Sequence, residues 1–249
     1  MNENITIKTD HPFCDKEPDF TIHGGVLESK DSLNITLKHL MMNCSAGEDS
    51  HSDQHLINES LSYFNKSKIN CLDLGCAGGQ LILDYATRPQ THTCIGLDGS
   101  CGVYKHQNWH IDNNKKVLRH ANLVEPFSVL DGNGEIVQFD IITCWEVIEH
   151  FNESDLDIFF NNVNRHLSPE GIFFGSIALF PDVRDANGYH QDCPEYDASS
   201  EQFLLHKTVF DSRAPWDKIL QRYFSVGEYD FQVRLRNHDN SYYFKVLKK

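Results

Sequence analysis

From Lys68 onward the apolar positions fall into short dense runs, each closed by a polar or glycine-bearing turn. INCLDLG, starting at Ile69, is an apolar run that ends in Gly75 and predicts a buried strand. QLILDYA, 80–86, then predicts a helix. THTCIGLD, 91–98, predicts a second strand, and the stretch after Gly99 a helix through about Asp112. KVLRHANL, 116–123, reads as a third strand and FDIITCW, 139–145, as a fourth that is apolar throughout. Between Ser154 and Leu167, the residues Leu156, Phe159, Phe160, Val163 and Leu167 share one helical face. GIFFGSIAL, 171–179, is a fifth strand. Strands that are apolar on both faces and alternate with helices predict a parallel sheet covered on both sides. After Arg222, two further strand-like runs surround the turn residues NHDN, 237–240, and predict a closing hairpin.

The first third is less regular. ITI near the start and FTIHGGVLE, 20–28, read as short strands, and 32–43 and 53–65 carry helical spacing. The polar stretch between those two helices predicts a loop. The expected organisation is an N-terminal helical cap or extension over 1–66 and one α/β domain over 67–249. Residues of about 180–220 form an insertion in that domain.

Composition narrows the class. The 249 residues fit one domain of ordinary size, and 40% apolar with 23% charged residues is a globular balance. Lys and Arg number 22 against 36 Asp and Glu, a net charge of -14 that repels phosphate backbones and argues against a nucleic-acid partner. No run of eighteen apolar residues exists, so no membrane insertion is expected. The opening MNENITIKTD lacks the basic-then-apolar pattern of a signal peptide. Cys14, Cys44, Cys71, Cys76, Cys94, Cys101, Cys144 and Cys193 make no C-x-x-C pair, which argues against structural zinc and for reduced thiols in a cytoplasmic protein.

The chemistry concentrates at strand ends. In LDLGCAGGQ, 72–80, Asp73 sits near the end of the first strand, and Gly75, Gly78 and Gly79 open the turn into the helix. Glycine there tolerates positive φ and lets backbone approach a ligand. Asp98 ends the second strand, where a carboxylate accepts ribose hydroxyls. A turn that serves packing alone is the competing account. Its spacing is not that of the dinucleotide motif.

WEVIEHF, 145–151, follows the fourth strand. If this segment is helical, Glu146, Glu149 and His150 fall on one face. Two carboxylates and an imidazole together suit a hard divalent cation, Mg2+ or Mn2+, with His190 as a further ligand. Without metal, His150 or His190 is a general base and Glu146 or Glu149 orients it. A structural account, in which Glu149 and His150 cap and pair locally, stands beside both. His92, His166 and His206 lack partners at ligand spacing and read as surface or packing residues. The insertion holds Arg184, Tyr189, His190, Tyr196 and Trp216, a set suited to a sugar or polyol ring.

LDLGCAGG, GLDGS, FDIITCWEVIEHF and LSPEGIFFGSIA, taken in order over roughly Ile69 to Leu179, resemble the motifs of class I S-adenosylmethionine-dependent methyltransferases. The resemblance implies a Rossmann-like, mostly parallel seven-stranded sheet with an antiparallel last strand and helices on both faces. It implies S-adenosylmethionine as cofactor, with Asp73, Gly75, Cys76 and Gly78 near the methionine moiety and Asp98 and Gly99 at the ribose. Asn122 and Leu123 would face the adenine, and Cys144 and Trp145 would lie beside cofactor and acceptor. The E-x-x-E-H pattern with a later His, followed by SSEQF at 199–203, is similar to metal-dependent O-methyltransferases of the ubiquinone pathway and of small-RNA ends. The catalytic set is then His150, His190 and Glu149, and the metal set Glu146, Glu149, His150 and His190. The expected activity is O-methylation of a sugar or glycan hydroxyl. An aromatic or quinone-precursor hydroxyl, an RNA 2′-hydroxyl and a catalytically silent cofactor-binding partner are the alternatives. The chain is expected as a monomer or a homodimer.

Overall fold

The computed structural model describes residues 6–9, 52–98, 108, 112, 117–151, 153–179, 196–197, 202–203, 210, 212–226 and 241–249. The dense apolar runs become the strands of the main sheet: β2 Ile69–Leu74, β3 Thr91–Asp98, β6 Phe139–Trp145 and β7 Leu167–Ala178. With β4 Leu118–His120, β10 Phe224–Val226 and β11 Ser241–Lys248 they form seven strands in the order β10-β11-β7-β6-β2-β3-β4. β4, β3, β2, β6 and β7 run parallel, and β11 is antiparallel to both β7 and β10. A separate two-stranded sheet pairs β1 Thr6–Thr9 with β5 Phe127–Leu130. A short hairpin joins β8 Tyr196–Asp197 to β9 Gln202–Phe203.

Helices cover both faces because their apolar spacing requires it. On one face α1 Gln54–Ser62 buries Leu56, Ile57 and Leu61, and α2 Gln80–Ala86 buries Leu81, Ile82 and Tyr85. Asp53 caps α1 by accepting from the backbone N–H groups of His55 and Leu56, the usual work of a short acceptor side chain at that position. The Ser60 and Tyr85 hydroxyls meet at 2.6 Å and tie α1 to α2. The 1–66 segment therefore contributes part of the sheet's own core: Leu56, Ile57, Leu61 and Phe64 pack in one cluster with Ile69, Ile141 and Phe174. On the other face α3 Glu153–His166 presents Leu156, Phe159, Phe160 and Val163, the face that the spacing predicts. α4 Arg213–Tyr223 adds Trp216, Ile219 and Leu220 to that cluster.

Three local differences from the sequence reading have physical causes. The third strand is short because Asn122 leaves the ladder, its side chain accepting from the Val124 N–H in a tight turn. The fifth begins earlier, at Leu167, which pairs with Phe139 ahead of a register shift. β5 was not expected, because its ladder partner β1 lies far away in sequence. The helix expected at 32–43, the strand at 20–28 and the NHDN turn lie outside the described residues. Among the described residues no helix is long and apolar enough to cross a membrane.

Candidate functional site

The parallel strands deliver their carboxyl ends to one edge, where Leu74 is level with Cys144 and Asp98 with His120. At this edge the chain leaves β2 through Gly75, with φ +74°, and re-enters α2 through Gly79, with φ +78°. Both glycines are demanded twice, by backbone and by space. A Cβ on Gly75 would lie 2.3 Å from Val147 Cγ2, and one on Gly79 2.4 Å from Leu118 Cδ2. Packing therefore accounts for these two. The ligand argument passes to the carboxylates around them.

Asp98 is buried, and its Oδ2 accepts the Ala77 N–H at 2.9 Å. Ala77 itself sits at φ +44°, uncommon for a residue with a Cβ. Asn108 supports the loop from outside, donating from Nδ2 to the Gly78 carbonyl at 2.8 Å. Asp73 is buried in the adjacent strand and accepts from the Thr143 hydroxyl at 2.7 Å. Burial pushes its carboxyl up to about 7, against the Thr143 bond and with help from the Asp98 charge. Two acidic side chains thus lie side by side, out of water, at the ends of neighbouring central strands. Burial holds the Cys76 and Cys144 thiols far above their ordinary range, so neither serves as a thiolate nucleophile. Leu123 is buried beneath the turn, and Asn122 is half-buried within it.

The segment after β6 is not the helix that the E-V-I-E-H spacing allows. Only Ile148–His150 form a single 3-10 turn. Glu146 lies before it in a left-handed conformation, φ +51°. Its N–H donates to the Ser176 carbonyl at 2.9 Å, and its Oε1 accepts from the Ser241 hydroxyl at 3.1 Å. Glu149 is fully buried, and its Oε1 accepts the Ala178 N–H at 3.0 Å. Ser241 and Ala178 are direct cross-strand partners, so both carboxylates fasten to one rung at the mouth of the sheet. They meet there through the tertiary fold and not through a shared helix face. Among the described residues no three His, Cys, Asp or Glu side chains group as a metal site. The His150 side chain, His190 and Gly99 lie outside the described residues.

Trp145 closes β6, with its ring edge-on to Phe174 at 5.9 Å between centroids. Its Nε1 is buried and has no acceptor among the described residues. Trp216, expected to contact the acceptor, is instead fully buried in the core beneath α4, its indole N–H donating to the Phe210 carbonyl at 3.1 Å. Arg213–Tyr223 packs its apolar face, with Trp216, Ile219 and Leu220, into the core of the sheet. Thr143, Ala77, Asn108, Val147 and Ser241 were not singled out from sequence. Thr143, a polar residue inside an apolar run, was the one readable signal among them.

A family model described as a methyltransferase domain matches residues 50–222. An uncharacterized protein of Rickettsia prowazekii is 26% identical over 153 residues, covering 57% of this chain and 58% of that protein. A ubiquinone biosynthesis O-methyltransferase of Rickettsia akari is 25% identical over 121 residues, covering 48% of this chain and 45% of that enzyme. The chain thus spans about half the length of the curated relatives it matches. The crystal structure of the N-methyltransferase NodS from Bradyrhizobium japonicum, in complex with S-adenosyl-L-homocysteine, shares the fold. It has TM-score 0.51 and 13% identity, covering 88% of this chain and 98% of that one.

Proposed function

The chain belongs to the family of methyltransferase domains, and we propose that it transfers a methyl group from S-adenosylmethionine to a hydroxyl on an aromatic ring. The observation that carries the cofactor assignment is the pair of buried carboxylates, Asp73 and Asp98, flanking a loop with left-handed backbone. Their combined field suits a ligand that carries an ammonium and a sulfonium. Asp98 sits at the strand end from which a carboxylate reaches ribose hydroxyls. Asp73, Gly75, Cys76, Gly78, Asp98, Gly99, Asn122, Leu123, Cys144 and Trp145 are the residues we assign to the cofactor. When bound, S-adenosylmethionine supplies an electrophilic methyl on positively charged sulfur.

The chain's own part is to hold the acceptor oxygen in line, take its proton and keep water out. We assign the proton to His150 or His190. Glu149 holds the 3-10 turn that carries His150 by its bond to the Ala178 N–H. Glu146 and Glu149 each accept through Oε1, from Ser241 and Ala178 respectively, and we route no step through the metal set of Glu146, Glu149, His150 and His190. The aromatic acceptor draws support from the Rickettsia akari relative, a ubiquinone biosynthesis O-methyltransferase. The sugar or glycan acceptor loses Trp216 to the core. The net charge of -14 weighs against RNA.

Calorimetry with S-adenosylhomocysteine tests the site. Asp98→Ala should weaken binding by about 1–3 kcal/mol through lost charge-assisted hydrogen bonds. Asp98→Asn, which keeps an acceptor for the Ala77 N–H, should recover part of that loss. Unchanged affinity in Asp98→Ala sinks the cofactor assignment. In turnover assays with catechol as acceptor, His190→Ala or His150→Ala should depress kcat far more than cofactor affinity.

A further inference from the structure

The parallel strands also have an amino edge, opposite the one described above. β2 starts there at Ile69, and β6 and β7 start at Phe139 and Leu167, which pair with each other. β11 runs the other way and ends there, with Lys248 paired to Phe224 at the start of β10. Lys66 and Lys68 lead into β2, Arg165 into β7 and Arg222 into β10, and Lys248 and Lys249 follow at the end of β11. A chain of net charge -14 thus gathers cations at this edge, while Asp73 and Asp98 lie at the other.

A cavity of about 410 Å³ opens on the amino edge. That volume falls among small-molecule sites, which run from about 300 to 1,000 Å³. Tyr63, Phe64, Pro169 and Leu247 give it an apolar wall, Lys66 and Lys248 bring ammonium groups, and Glu170 lines it as well. Tyr63 is 44% exposed and yet is held from two directions. Its ring stands edge-on to Phe64 at 5.1 Å, and the Lys245 ammonium lies 4.2 Å from its centroid. An exposed ring already fixed in place loses little freedom when a ligand packs on it.

The two lysines of the cavity differ. Lys66 already faces carboxylates, with its Nζ 2.8 Å from buried Asp140 and 3.5 Å from Glu170. Asp140 accepts from the Asn70 N–H and the Ser168 hydroxyl too, so its charge is matched several times over. Lys248 donates to the Leu167 carbonyl, a neutral acceptor, at 2.6 Å. Among the described residues no carboxylate pairs with it. A lone ammonium lacks the planar fork that grips phosphate, and it suits a single carboxylate.

We propose that this cavity binds a small organic carboxylate with an aromatic body, its ring against Tyr63, Pro169 and Leu247 and its charge on the Lys248 ammonium. The site lies the length of β6, about 20 Å, from the edge assigned to S-adenosylmethionine, and it does not rest on that assignment.

Calorimetry of the full-length chain with 2-naphthoate tests the assignment. Saturable binding is expected, with Kd at or below about 1 mM for a ligand of this size. Lys248→Gln keeps a donor for the Leu167 carbonyl, removes the charge, and should weaken binding about tenfold. Tyr63→Ala, which removes the fixed ring, should also weaken it about tenfold. 2-Naphthylmethanol keeps the rings without the charge and should bind about tenfold more weakly than 2-naphthoate. Saturating S-adenosylhomocysteine should leave 2-naphthoate binding unchanged. Absence of 2-naphthoate binding overturns the proposal, and so does equal affinity in Lys248→Gln. Tighter binding of 2-naphthylmethylammonium overturns it as well, because Glu170 would then set the charge preference. Competition between 2-naphthoate and S-adenosylhomocysteine overturns it by placing the carboxylate at the opposite edge.

Discussion

Two regions of this molecule bury polar side chains to the same depth and do opposite things with them. At the seam between α3 and β5, Asn162 donates to the Leu123 and Glu125 carbonyls and accepts the Phe127 N–H. One turn later His166 accepts the Val129 N–H at Nε2, which leaves the Nδ1 proton for the Asn162 carbonyl. Its ring stacks on Phe127. Each hydrogen-bonding group of these two side chains is used by the chain itself. At the carboxyl ends of β2 and β6, Asp73 has the Thr143 hydroxyl, and Trp145 Nε1 has nothing among the described residues. Among the described residues, both left-handed ones with side chains, Ala77 and Glu146, lie at this edge. A closed polar seam specifies structure. An open, strained one is what a ligand completes.

The largest effect should come from opening the seam. Asn162→Ala leaves the Phe127 N–H and the Leu123 and Glu125 carbonyls without their partner, and should cost about 4 kcal/mol of stability. Chemical denaturation would read that loss as a lower midpoint with an unchanged slope. The folded fraction should bind S-adenosylhomocysteine as before, and a parallel loss of affinity would show that seam and site are not separate.

Relieving the site should do the reverse. The Asp73 carboxyl is raised from 3.8 to about 7, so between those values the folded chain keeps a proton that the unfolded chain has lost. Stability attributable to this group therefore falls as pH rises, by about 4 kcal/mol once above pH 7. Asp73→Asn still accepts from Thr143 and should stabilise the ligand-free chain at pH 8 by up to that amount, while weakening S-adenosylhomocysteine binding. In the original chain, affinity for this ammonium-bearing ligand should fall as pH drops below about 7, where Asp73 becomes neutral.

The smallest effect compares the two regions directly. Burial holds the His166 imidazole down to about 4 from 6.5, so across that window the unfolded chain takes up a proton that the folded chain refuses. Stability from His166 is complete above pH 6.5 and falls by about 3 kcal/mol on acidification to pH 4. Asp73 and His166 thus oppose each other between pH 4 and 6.5. The Asp73→Asn variant should lose stability more steeply over that range than the original chain. Parallel stability curves of the two proteins against pH would show that the Asp73 shift is absent, and a flat curve for Asp73→Asn between pH 6.5 and 4 would show that the His166 shift is absent.

Much of the scaffold was legible because its apolar periods are unambiguous. The runs at 69–74, 91–98 and 139–145 are strands, and the Leu156–Phe160–Val163 stripe faces the core. The edge we propose for the cofactor was legible through Asp73 and Asp98, which the fold brings to neighbouring strand ends. The acceptor edge was not. An aromatic in a polar stretch gives no sign of whether it serves a ligand or a core, and Trp216 served the core. The E-V-I-E-H spacing fits a helix face, but the Glu146 N–H is taken by Ser176, which breaks the helical path before it starts.

Sequence alone determined the alternation of strand and helix, the acidic strand ends and the family motifs, because each depends on residues near one another in the chain. The tertiary structure alone decided that Glu146 reaches Ser241, 95 residues away, that Val147 fills the space over Gly75, and that Trp145, Ser176 and Tyr243 stand in one row. Those outcomes follow from the register of parallel and antiparallel strands. A one-residue slip would turn each of these side chains to the opposite face, and no local pattern in the chain records which register is chosen.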